Sequence, residues 1–185
     1  MMIETENTPN PDTLKFLPGK KVSEVGPIQF LKNDKSIKVS LAQKILSMEG
    51  IEMIFFGEDF ITVKKKKNLN WDNLKHGIIS EINDYYLQGH DVVVKKGLKK
   101  TVSDVKSTQS NEIVNKINEV LDSKIRPAVA RDGGDITFKS FKDGIVTVEL
   151  KGSCSGCPSS TMTLKQGVQN LLCHYVDDVK EVIAI

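Results

Sequence analysis

The 185-residue sequence has only three cysteines, two of them in one C-x-x-C motif, and no second motif of that kind. That count is too small for the disulfide framework of a secreted domain, so the expected compartment is a reducing interior, the cytoplasm by default. No apolar run is long enough to cross a bilayer. The first ten residues, Met1-Met-Ile-Glu-Thr-Glu-Asn-Thr-Pro-Asn10, have neither a basic flank nor an apolar stretch, unlike a signal or transit peptide. Charge of one sign is also lacking: 26 Lys and Arg against 24 Asp and Glu give +2, which offers no electrostatic ground for nucleic acid or a membrane as partner. There is no phosphate-cradling loop, dinucleotide fingerprint or Ser-His-Asp set, and no paired acid–base carboxylates. Turnover chemistry therefore has no candidate residues, and the expectation is that the protein is not an enzyme.

What is present centres on Gly152-Ser-Cys154-Ser-Gly-Cys157-Pro-Ser-Ser-Thr161, between a strand pattern and a helix pattern. Two thiolates two residues apart on a glycine-bearing loop can turn toward one point. A helix starting after Cys157, with Pro158 suited to its first position, adds a positive end that favours deprotonated sulfur. Tetrahedral zinc and iron–sulfur clusters normally take four ligands, so one chain carries half a site. Three readings follow: two chains share one metal centre, the pair is a redox dithiol, or the cysteines are structural. A thioredoxin-like redox role wants the motif at a strand end in a βαβ unit, and the hairpin pattern just before the loop speaks against that.

The patterning predicts an α+β protein of two small domains joined by a polar linker. Residues 1–88 read as a first α+β domain, with strands at Thr13–Leu17 and Ile28–Leu31. A helix capped by Ser40 follows and stops at Gly50, then a hairpin of Ile51–Phe56 and Phe60–Val63, then a helix over Trp71–Leu87. Lys64–Lys67 reads as a solvated strand end that discourages edge pairing rather than a nucleic-acid patch. Residues 89–110 lose aromatics and gain Lys, Ser, Thr and Asp, as a linker does, although Val92–Val94 can add an edge strand to the first domain. Residues 111–185 read α-β-β-α-β. Ile113, Ile117, Val120 and Leu121 face one way on a helix that Arg126-Pro127 ends or breaks. Asp132-Gly-Gly-Asp135 is a tight bend, Asp143-Gly144 a hairpin turn, and Val179–Ile185 a terminal strand.

On Arg126-Pro127, Asp132-Gly-Gly-Asp135 and the cysteine loop, the second domain resembles the NifU C-terminal, or Nfu, domain of iron–sulfur cluster carriers. Thr8-Pro-Asn-Pro-Asp-Thr-Leu-Lys-Phe-Leu-Pro-Gly19 resembles the N-terminal domain of longer Nfu proteins. The resemblance implies a [4Fe–4S] cluster bound through Cys154 and Cys157 of each of two subunits. It further implies a homodimer when loaded, an upstream scaffold or donor, and apo iron–sulfur proteins as recipients. Relatives in eukaryotes carry a mitochondrial leader, so the expected place is bacterial-type cytoplasm, or the mitochondrial matrix for a mature eukaryotic form. A zinc-binding or dithiol redox module using the same pair is the alternative. Cys173 lies sixteen residues past Cys157 in a helix, about four turns at ~1.5 Å per residue, too far for a shared centre within one chain; His174 shares that distance. His76 and His90 have no partner pattern. The glycines of Asp132–Asp135 suit positive φ or close backbone approach beside the cysteine loop. Arg126 and Arg131 are candidate counter-charges for an anionic thiolate cluster, a surface role being the plain alternative.

Overall fold

Thr13–Leu17, read as a strand from its alternation, is an inner strand of a five-stranded sheet. The computed structural model describes residues 2–34, 37–95, 111–155 and 158–185, and the chain divides into two units, Met1–Lys99 and Lys100–Ile185. In the first unit, β1 (Glu4–Asn7), β2 (Thr13–Leu17), β3 (Ile28–Leu31), β4 (Ile51–Phe56) and β5 (Ile61–Lys65) form an antiparallel sheet ordered β1-β2-β5-β4-β3. Helices α1 (Ser40–Ser47) and α2 (Trp71–Leu87) bury Leu41, Ile45, Ile78 and Ile82 against Leu14, Phe16, Ile54 and Val63. The sequence signal missed β1, whose residues are polar and mostly exposed. Ser40 is not a cap: Val39 holds that position, and no side chain caps the helix. Val93 and Val94 still pack in this core, and Val94 bridges Ser23 in parallel.

The lysine run is not at a sheet edge, because β5 is the middle strand. Lys65, 5% exposed, pairs with Asp12 at 3.1 Å and lies over the Trp71 ring. Only Lys66 and Lys67 are exposed beyond the strand. The run's inner end therefore ties β5 to the Pro-rich turn. That turn is further held by the Asp12 N–H donating to Asn10 Oδ1 at 3.0 Å and Trp71 Nε1 donating to the Pro11 carbonyl at 3.1 Å.

The second unit has the anticipated α-β-β-α-β order. Helix α3 (Asn111–Val120) passes through a π-helical turn, Leu121–Ile125, into α4 (Arg126–Arg131). Arg126-Pro127 thus reshapes the helix instead of ending it. Pro127 has no N–H, and its ring would crowd the carbonyl four residues back; the wider turn, in which the Arg126 N–H donates to the Leu121 carbonyl, removes that conflict. Strands β6 (Gly134–Lys142) and β7 (Ile145–Gly152) form a hairpin whose turn has φ of 54° at Asp143 and 85° at Gly144, the two positive values a type I′ turn requires. Helix α5 (Pro158–Tyr175) then crosses to β8 (Glu181–Ala184), which pairs parallel with β7. Ile136, Val146, Val148 and Leu150 meet Ile117, Leu121, Val129, Val168 and Leu172 in the core.

Tyr86 supplies a stability test. Its side chain is 7% exposed, and among the described residues its hydroxyl has no hydrogen-bond partner. Burial, then the neighbouring Tyr85, pushes the phenol from 10.0 up to about 12. A raised folded-state value favours the neutral phenol in the fold, so this contribution is complete below pH 10 and is lost as pH rises through about 12. Tyr86→Phe should lose less stability than the wild type across that window in urea unfolding. It should also be at least as stable at neutral pH, since an unpartnered buried hydroxyl costs about 1–3 kcal/mol. The same alkaline loss in both proteins would contradict this account.

Candidate metal centre

Strand β7 ends at Gly152 with a φ of 68°, and the chain turns there. Ser155 closes the turn by donating its N–H (3.2 Å) and its hydroxyl (2.8 Å) to the Gly152 carbonyl. Across the hairpin, Gly152 is paired with Gly134, the first residue of β6. Gly133, with φ of 80°, makes the bend from α4 into that strand. Ser153 fastens the two turns together: its N–H donates to the Gly133 carbonyl at 3.2 Å, and its hydroxyl donates to the Asp132 carbonyl. It is 1% exposed.

Cys154 is in no disulfide, is 5% exposed and is part of the second unit's core. Its seat is Gly134. A Cβ built on Gly134 would lie 2.7 Å from Cys154 Sγ and 2.6 Å from the Lys151 carbonyl oxygen. The two glycines of Asp132–Asp135 therefore serve the two purposes expected of them, Gly133 by positive φ and Gly134 by close approach.

Asp135, 6% exposed, begins β6 beside this seat. Burial pushes its carboxyl up, opposed by the Arg126 guanidinium, a backbone hydrogen bond from Ile136, Lys151 and Thr137. Arg126 Nε donates to the Ile136 carbonyl at 3.0 Å and lies 3.4 Å from Asp135 Oδ1, while Nη1 pairs with Asp122 at 2.8 Å. Its charge is thus engaged by two carboxylates of its own unit. Arg131 is exposed in the last turn of α4.

Cys157 and Gly156 lie outside the described residues, as do the side chains of residues 158–161. Cys173 is half-buried on α5 against the core. His174 makes an edge contact with Tyr175, and His90 stacks on Tyr85 with centroids 4.4 Å apart. Among the described residues no three His, Cys, Asp or Glu side chains come together as a metal-holding group. Of the C-x-x-C pair, Cys154 alone lies among the described residues.

One sequence argument fails. The hairpin pattern before the loop speaks against a βαβ setting, yet β7, α5 and β8 form one, with the C-x-x-C between strand and helix. A different observation speaks against redox turnover: reactive cysteines sit in partly exposed places, whereas Cys154 is buried. Ser153 was passed over in the sequence because a serine inside a loop motif carries no periodicity or spacing signal; its role appears only when Asp132 and Gly133 come round to meet it.

A family model described as NifU-like domain matches residues 117–183, and one described as scaffold protein Nfu/NifU N terminal matches residues 3–89. The chain is 42% identical over 183 residues to "NFU1 iron-sulfur cluster scaffold homolog, mitochondrial" of Homo sapiens, covering 98% of this chain and 71% of that protein. It is also 42% identical over 184 residues to "NifU-like protein 4, mitochondrial" of Arabidopsis thaliana, of which it spans 65%. A solved structure of a NifU-like protein from Saccharomyces cerevisiae covers 52% of this chain and 86% of its own, at 29% identity and a TM-score of 0.47.

Gly134→Ala should push Cys154 off its seat. Overpacking of this kind costs about 1–3 kcal/mol, to be read in urea unfolding, and iodoacetamide should modify Cys154 faster than in the wild type. Wild-type stability together with wild-type reactivity would show that the close approach is not limiting.

Proposed function

Since the chain belongs to the NifU-like family, in the form that carries an Nfu N-terminal domain ahead of the NifU-like one, we propose that it is an iron–sulfur cluster scaffold and carrier whose cargo is a [4Fe–4S] cluster. Cys154 and Cys157 of one chain and the same pair of a second chain would supply the four thiolates. The observation that carries the reading is a lone C-x-x-C whose first cysteine, in no disulfide, stands at a strand–helix junction, in a unit with no group of three or more metal-holding side chains among its described residues. The donor set fits: soft thiolates suit iron–sulfur clusters. The relatives named scaffolds support the scaffold role. Zinc accepts four thiolates as well, and the iron and sulfide content of the reconstituted protein separates the two.

The burial of Cys154 shapes how such a carrier works. With Cys154 at 5% exposure, its sulfur must leave Gly134 to meet a ligand shared with another chain, so loading requires the loop to turn outward. Each chain alone cannot satisfy the cluster, and a recipient offering better-placed thiolates can draw it away by ligand exchange. Assembly is then coupled to loading. Donor scaffold, loaded homodimer and apo iron–sulfur recipient are the partners in this scheme, and no step of it calls for enzymatic turnover. The compartment is a reducing one, the bacterial-type cytoplasm or the mitochondrial matrix; the names of the human and Arabidopsis relatives say mitochondrial.

Cys154→Ser and Cys157→Ser should each abolish stable cluster binding after anaerobic reconstitution, while Cys173→Ser should keep wild-type iron content. Loaded protein should elute as a dimer with about four irons per two chains. A monomer holding a complete cluster without added thiol would end the shared-site proposal. The domain division is tested separately: residues 111–185 alone should fold and bind the cluster, and a fragment that stays unfolded would place the boundary elsewhere.

A further inference from the structure

Helix α2 does not lead straight out of the first unit. After Leu87, the Gln88 N–H donates to the Asp84 carbonyl at 3.1 Å and the Gly89 N–H to the Tyr86 carbonyl at 3.2 Å. Gly89, with φ of 87°, then reverses the chain, and the residues that follow run back over the unit. His90 stacks on the Tyr85 ring with centroids 4.4 Å apart, and the Tyr85 hydroxyl donates to the Val92 carbonyl at 3.3 Å. Val93 and Val94, 5% and 0% exposed, enter the core, and both their N–H groups donate to the Val22 carbonyl at 3.0 Å. The Glu24 N–H donates to the Val94 carbonyl at 2.9 Å, beside the bridge between Ser23 and Val94. Val22 is itself fixed, its N–H donating to the Glu58 carbonyl at 2.7 Å.

These anchors are few and of uneven strength. Two N–H groups share one carbonyl, the bridge of Ser23 with Val94 is isolated rather than part of a ladder, and 3.3 Å is long for a hydroxyl bond. Leu87, Gln88, Gly89, Asp91 and Lys95 are exposed. The inner strands differ: β4 and β5 pair without a break from Met53 to Phe56, and Ile54, Ile61 and Val63 are fully buried. A segment with few buried side chains and exposed flanks opens at lower free energy than the core it leans on.

We propose that residues 88–94 are a strap, closed over the first unit by the His90–Tyr85 stack, the Tyr85 hydroxyl and the two buried valines, and able to open without unfolding the core. Closed, the chain leaves the first unit after Val94. Open, it leaves after Leu87, and residues 88–94 join the connection to the second unit. The same chain then has two connection lengths, and the longer one permits a wider reach. Tyr85 is the pivot, since its ring and its hydroxyl each hold a different residue of the strap. The cysteines take no part, so the strap stands or falls independently of the carrier reading.

The test is native-state hydrogen exchange on the full chain at neutral pH, read amide by amide. In the wild type, Val93 and Val94 should exchange about tenfold or more faster than Ile54 and Val63 of the inner strands. Tyr85→Phe removes the hydroxyl and keeps the stack, whereas His90→Ala removes the stack and keeps the hydroxyl. Each should speed exchange at Val93 and Val94 about fivefold further, the effect of one hydrogen bond or one ring pair, with Ile54 and Val63 at wild-type rates. Wild-type exchange at Val93 and Val94 as slow as at Ile54 and Val63 would overturn the inference, because the segment would then open only with the whole unit. Acceleration of all four amides together would overturn it for the same reason. Unchanged Val93 and Val94 rates in either variant would do so as well, since the contact removed would not be one that closes the strap.

Discussion

The approach of the Cys154 sulfur to the bare Cα of Gly134 is the contact on which the second unit's site depends. It forces a glycine at the start of β6. It forces the register that sets Gly134 opposite Gly152, and it requires a second glycine, Gly133, to turn the chain from α4 into that position. Each of these choices costs backbone entropy, and none is needed for a hairpin as such. They are consistent with a loop built to hold one thiol in a defined, water-poor place.

The helical approach to the bend follows from the same geometry. Pro127 forces a π turn, and the turn brings Arg126 to the Ile136 carbonyl and to the buried carboxylate of Asp135. A buried carboxylate without a partner is strongly destabilising; here its compensating guanidinium comes from the helix that immediately precedes the strand. Bend, strand start and helix are thereby bound as one piece, and the cysteine loop hangs from it through Ser153. In the proposed carrier, the rigid part would define where the sulfur rests when empty.

The first unit relies on a comparable device for a different end. Lys65 and Asp12, with side-chain exposures of 6% and 15%, join the middle strand to the Pro-rich turn, and the Trp71 ring covers the ammonium. Such a pair contributes specificity of arrangement more than net stability. Lys15, 8% exposed, pairs with Glu6 at 2.9 Å and lies over Phe60, extending buried cationic chemistry along β2.

How far the sequence carried can be read from particular residues. Strands with alternating side chains, the helix Trp71–Leu87, the Asp143-Gly144 turn and the α-β-β-α-β order were legible, because period and turn chemistry are local properties of the chain. The half-site arithmetic of Cys154 and Cys157 comes from ligand count, which needs no coordinates, and belongs to the proposal. Strand β1 was not legible, because a polar edge strand forms only where β2 offers it a ladder. The lysine run was misread as an edge because a strand's place in a sheet is decided by which strands flank it, and β2, which covers the other side of β5 from β4, comes from the start of the chain. The βαβ setting of the cysteine loop escaped for a related reason: a hairpin on one side of β7 says nothing about a parallel strand arriving on the other. The burial of Cys154, the engagement of Arg126 by Asp122 and Asp135, and the bond from the Ser153 hydroxyl to the Asp132 carbonyl were settled by tertiary structure alone, because each depends on distances between residues that only the folded chain brings together.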